Sequence, residues 1–347
     1  MLEIEHLVRF SLVITFFFYS LLSAQVYPDK NIDTYLRSGI KFILGENYSA
    51  AEKKFRNLKT EYPELPFGNI YLAATEIAKS LDFYKPFNED LIFSYLDSAS
   101  EQADKLFEAN DTLIWNVYFK ALSSGYYAYF QAMRGNYFSA ISNGINSIKD
   151  YNECLKLNLN FYESFIAIGT FNYWSSSKTL GLKWLPFVKD NSSGSISMLE
   201  KAISKPAYNK YLAAYSLCWI YLDSNKPNKS IKLAKSILNE HPKSRLFMWV
   251  LANGLKRTNK AKAVEVYNNI LNSFNALPDS LPVLKIILKH KIAMLLYDLK
   301  KYKSAQELCS EIILTKKSLN ENELDIVEER LDRVIELNDK IIDILSK

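Results

Sequence analysis

Apolar residues recur three and four positions apart along most of the chain, the spacing that places them on one face of a helix. The C-terminal stretch NENELDIVEERLDRVIELNDKIIDILSK shows it plainly. Leu324, Val327, Leu331, Val334, Leu337, Ile341 and Leu345 share a face and charges cover the other, which predicts an amphipathic helix over 320–347. Upstream, short polar turns (GENYSAAEKKF, RGNYFSAI, SNKPNKSIKLA, LKKYKSAQEL) punctuate similar segments. Around them, small and aromatic residues return in one frame. Gly39, Tyr48, Ala51, Phe55 and Pro63 are separated by nine, three, four and eight positions, and the same offsets recur at Cys218, Pro227, Ser230, Ala234 and Pro242. Without the proline they recur at Ala293, Tyr302, Ala305 and Cys309 and at Ala128, Tyr137, Ala140 and Gly144; Leu251, Lys260, Ala263 and Tyr267 form a looser copy. The pattern predicts pairs of antiparallel helices packed across a short turn. A small residue of the first helix (Gly39, Cys218, Ala293) is expected to meet a small one early in the second (Ala51, Ser230, Ala305). Tyr48, Tyr137 and Tyr302 are expected to cap the hairpins. Pro63 and Pro242 would stop the second helix, since proline cannot continue the hydrogen-bond ladder.

These offsets resemble the tetratricopeptide repeat, a helix-turn-helix unit of ~34 residues with small, aromatic and proline positions in this order. The resemblance spans residues 32–319 and implies an all-α solenoid of about six to seven stacked hairpins, a superhelix closed by residues 320–347 as a capping helix. It departs from the pattern at Phe67 to Asn110, which reads as a longer helical pair, at Tyr151 to Leu157, which extends a second helix, and at an insertion over 175–192. The combination of GTFNYW, KWLPF and a Gly-led helix is also similar to the tetratricopeptide repeat 39 family. In style the chain resembles bacterial periplasmic repeat proteins, including those accompanying tripartite transporters.

The block FSLVITFFFYSLL, followed by Ser23 and Ala24, is too short for a membrane span and reads as the apolar core and cleavage site of a secretory signal. Residues 1–24 are therefore expected to be a signal peptide and 25–31 a linker, with the mature chain in the periplasm or cell envelope. Glu3 and Glu5 outnumber Arg9 ahead of the block, so a retained anchor is the alternative and the only expected membrane contact. No cysteine follows the block, which argues against a lipid anchor.

Composition narrows the class. Only 10 Gly and 10 Pro among 347 residues leave too few turn residues for a Rossmann, sandwich or propeller fold. Lys and Arg number 43 against 38 Asp and Glu, a net charge of +5 with both signs interspersed, so no nucleic-acid partner is expected. The densest basic stretch, Lys285 to Lys303, reads as a solvated helix face. Cys154, Cys218 and Cys309 lie far apart in apolar stretches and read as buried free thiols.

Candidate chemistry is sparse. Three histidines, one of them in the signal, cannot build a histidine-rich metal site, and no HExxH, GxSxG, GxxxxGK or GxGxxG string is present. No catalytic residue, metal or cofactor is expected. What the resemblance implies instead is a protein or peptide segment bound along the first helices, with Tyr129, Tyr173, Trp174, Tyr215, Trp219 and Tyr297 toward the groove and His290 and Asp298 polar among them. Tyr and Trp suit such a surface because they offer large contact area at low entropy cost. The competing reading makes the same aromatics core between neighbouring hairpins. Trp184, Leu185, Pro186 and Phe187 in the insertion either fold back into the groove or form an exposed contact. The expected function is a non-enzymatic interaction scaffold; the alternative is a small-molecule or lipid carrier whose aromatic cavity the 175–192 loop closes.

Overall fold

In the computed structural model, which describes residues 26–178, 192–275 and 281–346, the frame residues Tyr48, Tyr137, Pro227, Lys260 and Tyr302 are each the first residue of a helix. The described residues form α1 (Lys30–Leu44), α2 (Tyr48–Glu61), α3 (Phe67–Phe83), α4 (Glu89–Ala109), α5 (Ile114–Met133), α6 (Tyr137–Leu157), α7 (Tyr162–Lys178), α8 (Ser192–Ile203), α9 (Lys210–Asp223), α10 (Pro227–Glu240), α11 (Arg245–Thr258), α12 (Lys260–Asn275), α13 (Pro282–Asp298), α14 (Tyr302–Thr315) and α15 (Glu321–Leu345). No strand occurs among them. The chain is all-α, an array of helical hairpins with a long terminal helix, and none of its described helices is long and apolar enough to cross a membrane. The expected signal segment 1–24 and the insertion residues Trp184, Leu185, Pro186 and Phe187 lie outside the described residues.

One turn recurs. In the links α1 to α2, α5 to α6, α9 to α10 and α13 to α14, the middle residue is left-handed: Glu46 (φ 60°), Gly135 (79°), Asn225 (55°) and Lys300 (58°). The next N–H then donates to the carbonyl five residues back: Asn47 to Phe42 at 2.9 Å, Asn136 to Gln131 at 2.9 Å, Lys226 to Tyr221 at 2.6 Å and Lys301 to Leu296 at 2.9 Å. This closure satisfies the otherwise orphaned carbonyls at the end of a helix and reverses the chain within three residues. Pro63 and Pro242 each follow the C-cap of their helix.

The hairpin packing follows the frame, with one shift. Ala51 and Phe55, Ser230 and Ala234, Ala263 and Tyr267, and Ala305 and Cys309 are all buried. At Gly39, however, the nearest atoms are those of the Phe55 ring. Gly144 likewise sits opposite Ala128. The Cys218 copy brings the first-helix residue to the early second-helix one, with Cys218 Sγ 3.8 Å from the Ser230 carbonyl. A helix whose small position faces a residue one turn later can accept a large ring there, which is what Phe55 provides. In the 137 copy the first turn of α6 is exposed, Tyr137 at 68% and Phe138 at 91%, because α6 buries its later residues Gly144, Ser147, Tyr151 and Cys154. Tyr137 therefore caps nothing, whereas Tyr302 stacks edge-on against Tyr297 at 5.6 Å.

The chain divides into two units, residues 1–78 with 87–217, and residues 79–86 with 218–347. The first has an aromatic core in which Phe67 meets Phe119 at 4.7 Å and Trp115 meets Phe161 at 5.5 Å. Residues 26–29, assigned to a linker by the sequence, carry Tyr27, which packs edge-on against Phe67 and Trp115. Asp29 caps α1 by accepting from Asn31 and Ile32. The first unit also joins its ends: the Tyr208 hydroxyl, just before α9, donates to Asp33 of α1 at 2.7 Å and accepts from the Tyr27 N–H at 2.9 Å.

In the second unit Asp82 and Arg245 form a buried bidentate pair, Nε to Oδ1 at 2.9 Å, with the guanidinium 4.2 Å from the centroid of the Phe274 ring. Its terminal helix α15 packs on α13 and α14 through Val327, Leu331, Val334, Leu337 and Ile341. Leu324 is half-buried and Leu345, in the last turn, is exposed. Asn320 and Glu323 close its start as a reciprocal capping box.

Candidate functional site

The first helices of the first unit converge on a carboxylate. Glu163, in the first turn of α7, is buried, and its two oxygens accept from the backbone N–H of Tyr208, the N–H of Asn209 at 3.3 Å, Asn209 Nδ2 at 3.0 Å and the Tyr118 hydroxyl at 3.2 Å. Tyr71 donates to the other amide atom of Asn209, Oδ1, at 3.4 Å. Burial pushes the Glu163 carboxyl above its usual range, and the hydrogen bonds from Asn209, Tyr208 and Tyr118 pull against that shift. Desolvation likewise raises the phenols of Tyr71, Tyr118 and Tyr151, with Glu163 a further cause for each. Four donors saturate both oxygens, so the arrangement is a lock between α5, α7 and the segment before α9, and it offers no free acid or base. Nothing in the sequence singles out Glu163 from other first-turn carboxylates.

The residues placed along the expected groove meet different fates. In the first unit Tyr173 is buried and stacks edge-on with the half-buried Trp174 at 5.2 Å. Tyr129 is 42% exposed, and desolvation, then Tyr215, raise its pKa. Tyr215 is half-buried. In the second unit Trp219 and Tyr297 are half-buried, and Asp298 is exposed and paired with Lys260 at 2.8 Å. His290 is buried, 4% exposed.

Around His290 the second unit gathers cations from the basic stretch Lys285 to Lys303, expected on a solvated face, and from α15. Most of α13 is buried, so its lysines Lys285, Lys289 and Lys291 are half-buried rather than solvated. Arg330 of α15 lies 3.2 Å from His290 Nδ1. A guanidinium has only donors, so Nδ1 accepts and the ring is neutral with its proton on Nε2. Among the described residues that buried Nε2–H has no hydrogen-bond partner. Burial, then Arg330, Arg333 and Lys291, bring the His290 pKa down to about 4. Burial, then Arg330 and Lys256, lower that of Lys291; burial, then Arg333, lower that of Arg330, with Tyr84 opposing. Trp249 of α11 lies beneath the Lys291 ammonium, 5.9 Å from it, and is flanked by Tyr84 at 6.4 Å and Tyr267 at 5.6 Å. Trp249 is unmarked in the sequence because its copy of the frame is the loosest, with Leu251 in the small position.

All three cysteines are buried free thiols, pushed by burial up to about 12 for Cys154 and Cys218 and about 11 for Cys309. No cluster of metal-ligating side chains occurs among the described residues.

No family model matches the chain, and no curated protein matches it in sequence. Among solved structures it is similar to the C-terminal part of a TPR repeat-containing protein from Cytophaga hutchinsonii, 16% identical over 84% of this chain and 99% of that one, TM-score 0.40. It is also similar to a thermophilic TPR protein of Thermus thermophilus, 14% identical over 65% and 98%, TM-score 0.39. A third is a tetratricopeptide repeat protein from Parabacteroides merdae, 11% identical over 89% and 99%, TM-score 0.38.

Proposed function

We propose that the chain is a non-enzymatic helical-repeat scaffold of the bacterial envelope that binds a peptide or protein segment. The observation that carries this reading is the run of part-exposed aromatics on the first helices: Tyr129 on α5, Trp174 on α7, Tyr215 and Trp219 on α9, Trp249 on α11 and Tyr297 on α13. Tyr and Trp combine a large apolar face with a polar edge, and a row of them at half-burial on the first helices suits a surface that takes a peptide. Export rests on the apolar block before Ser23 and Ala24. The test is a photo-crosslinking amino acid placed separately at Trp219 and at Tyr297 in the producing cell, with the adducts identified by mass spectrometry. One defined protein adduct at either position is the expected result. Absence of protein adducts together with a co-purifying small molecule in native mass spectrometry would overturn the scaffold in favour of a carrier.

A further inference from the structure

Helix α6 buries Gly144, Ser147, Tyr151 and Cys154, and the opposite face of its first two turns is bare and apolar. Phe138 is 91% exposed, Tyr137 68% and Ile141 45%, and Met133, the last residue of α5, is 42% exposed at the same hairpin tip. Single exposed apolar side chains are ordinary, whereas four around one tip form a patch. With ~200 Å² for a bare ring, the four expose roughly 500 Å², over half of the ~800 Å² that each partner of a standard interface buries.

Two features say what covers this face. The first is charge. From Gly135 through Ile148 the chain has no Asp, Glu, Lys or Arg. In a two-fold contact a helix meets its own copy, so a charge near the axis faces the same charge, and a neutral strip is what such a contact requires. An unlike protein or a layer of lipid headgroups is instead met by charges of the opposite sign. The second feature is spacing. Phe138, Ile141, Ser142 and the half-buried Ile145 recur three and four positions apart on the outward side, the spacing at which two helices interdigitate. Ser142, exposed in the middle of the strip, is small enough to let two backbones approach.

We infer that the outward face of α6 is the contact between two copies of this chain, packed antiparallel about a two-fold axis beside Ser142. Phe138 of each copy then lies against Ile145 of the other, and Ile141 against Ser142. The face belongs to a second helix and shares no residue with the groove proposed above, so the two readings stand or fall separately.

The test is sedimentation velocity of the purified chain over a dilution series, in which a monomer–dimer equilibrium is expected. Phe138→Glu puts a carboxylate against an aliphatic side chain of the other copy and should weaken the dimer at least about tenfold. Because Phe138 is exposed in the single chain, this variant should keep the circular dichroism of the parent and, at the lowest concentration, its melting temperature. Ser142→Cys, beside the axis, should join two copies through a disulfide under mild oxidation. Lys149→Cys, two turns further along the same helix, should not, and the native thiols are buried. A monomer at every concentration, a dimer that Phe138→Glu leaves unchanged, or crosslinking as ready at Lys149→Cys as at Ser142→Cys would each overturn the inference. A monomer whose melting temperature falls in Phe138→Glu would assign the face to another segment of this chain. A monomer that floats with phosphatidylglycerol vesicles, and ceases to in Phe138→Glu, would assign it to a membrane; either result overturns the contact between copies.

Discussion

Gly39 of α1 lies so close to Phe55 of α2 that a β-carbon added to the glycine would sit 2.3 Å from Cζ of the ring. The ring is fully buried and cannot step aside without displacing its stacked neighbour Tyr71, 5.1 Å away. Gly39→Ala is therefore expected to destabilise the chain by about 1–3 kcal/mol, the range for overpacked cores. Gly45 in the following turn is the control. Its φ is −88°, and an added β-carbon comes no closer than 3.4 Å to any atom, so Gly45→Ala should be neutral or stabilising by about 0.4–1 kcal/mol. Urea unfolding of the two variants distinguishes steric contact from a general loss of glycine.

Glu163 makes a second case. Truncation to alanine strands the N–H groups of Tyr208 and Asn209 and the hydroxyl of Tyr118 in a dry interior, and a buried donor left without an acceptor costs about 1–3 kcal/mol. Glu163→Gln keeps the volume but turns one acceptor into a donor facing donors. Both variants should unfold at lower urea, alanine the lower. Unchanged midpoints would show that the four hydrogen bonds contribute nothing to the joining of α7 to the segment before α9.

How much of this was legible in the sequence depends on the separation of the partners. The hairpins were, because their turns and small positions interact across nine to sixteen residues and so leave offsets that can be read along the chain. Offsets alone do not say whether Ala51 or Phe55 comes nearest to Gly39, and the nearest atoms belong to the Phe55 ring. Glu163 meets donors 45 and 46 residues away, and Asp82 meets Arg245 163 residues away, so each looks like an ordinary surface charge until the helices are stacked. Lys291 was hidden for a different reason. Its neighbours in sequence are lysines and aliphatics, and only the packing of α13 on α15 reveals that it is half-buried without an acid.

The Asp82 and Arg245 pair should behave as a buried ion pair does. Asp82→Ala removes the carboxylate that pairs with the buried guanidinium beside Phe83 and Phe274, with an expected loss of about 3–5 kcal/mol. Arg245→Met combined with Asp82→Leu removes both charges and should recover much of that loss. A double-mutant cycle in denaturant measures the coupling; additive effects would mean that the two side chains do not interact.

His290 predicts an acid limb in the stability of the chain. With its pKa near 4 when folded and 6.5 as the ordinary value, the unfolded chain takes up a proton between pH 6.5 and 4 that the folded chain refuses. Stability therefore rises with pH through that window and is unaffected by this group above it. Melting temperatures of the parent and His290→Gln from pH 4.5 to 7.5 should converge toward the acid end, and the parent's slope should be the steeper. Parallel curves would mean that the imidazole titrates normally and is not held neutral beside Arg330.

The recurrent turn supplies the last prediction. Three of its four left-handed positions carry a side chain, Glu46, Asn225 and Lys300, where only Gly135 has none. A β-carbon in this conformation crowds the following carbonyl at a cost of roughly 1–2 kcal/mol, less for asparagine. Lys300 is exposed, and the closing bond is made by the next residue, Lys301 N–H to the Leu296 carbonyl, so glycine at 300 removes the crowding without touching the closure. Lys300→Gly is expected to raise the urea midpoint, net of the entropy that glycine adds to the unfolded chain. Asn225→Gly should raise it less. Lys300→Val, which adds a second branch at the crowded carbon, should lower it. The order Gly above Lys above Val tests whether the left-handed turn, rather than side-chain contacts around it, sets the hairpin between α13 and α14.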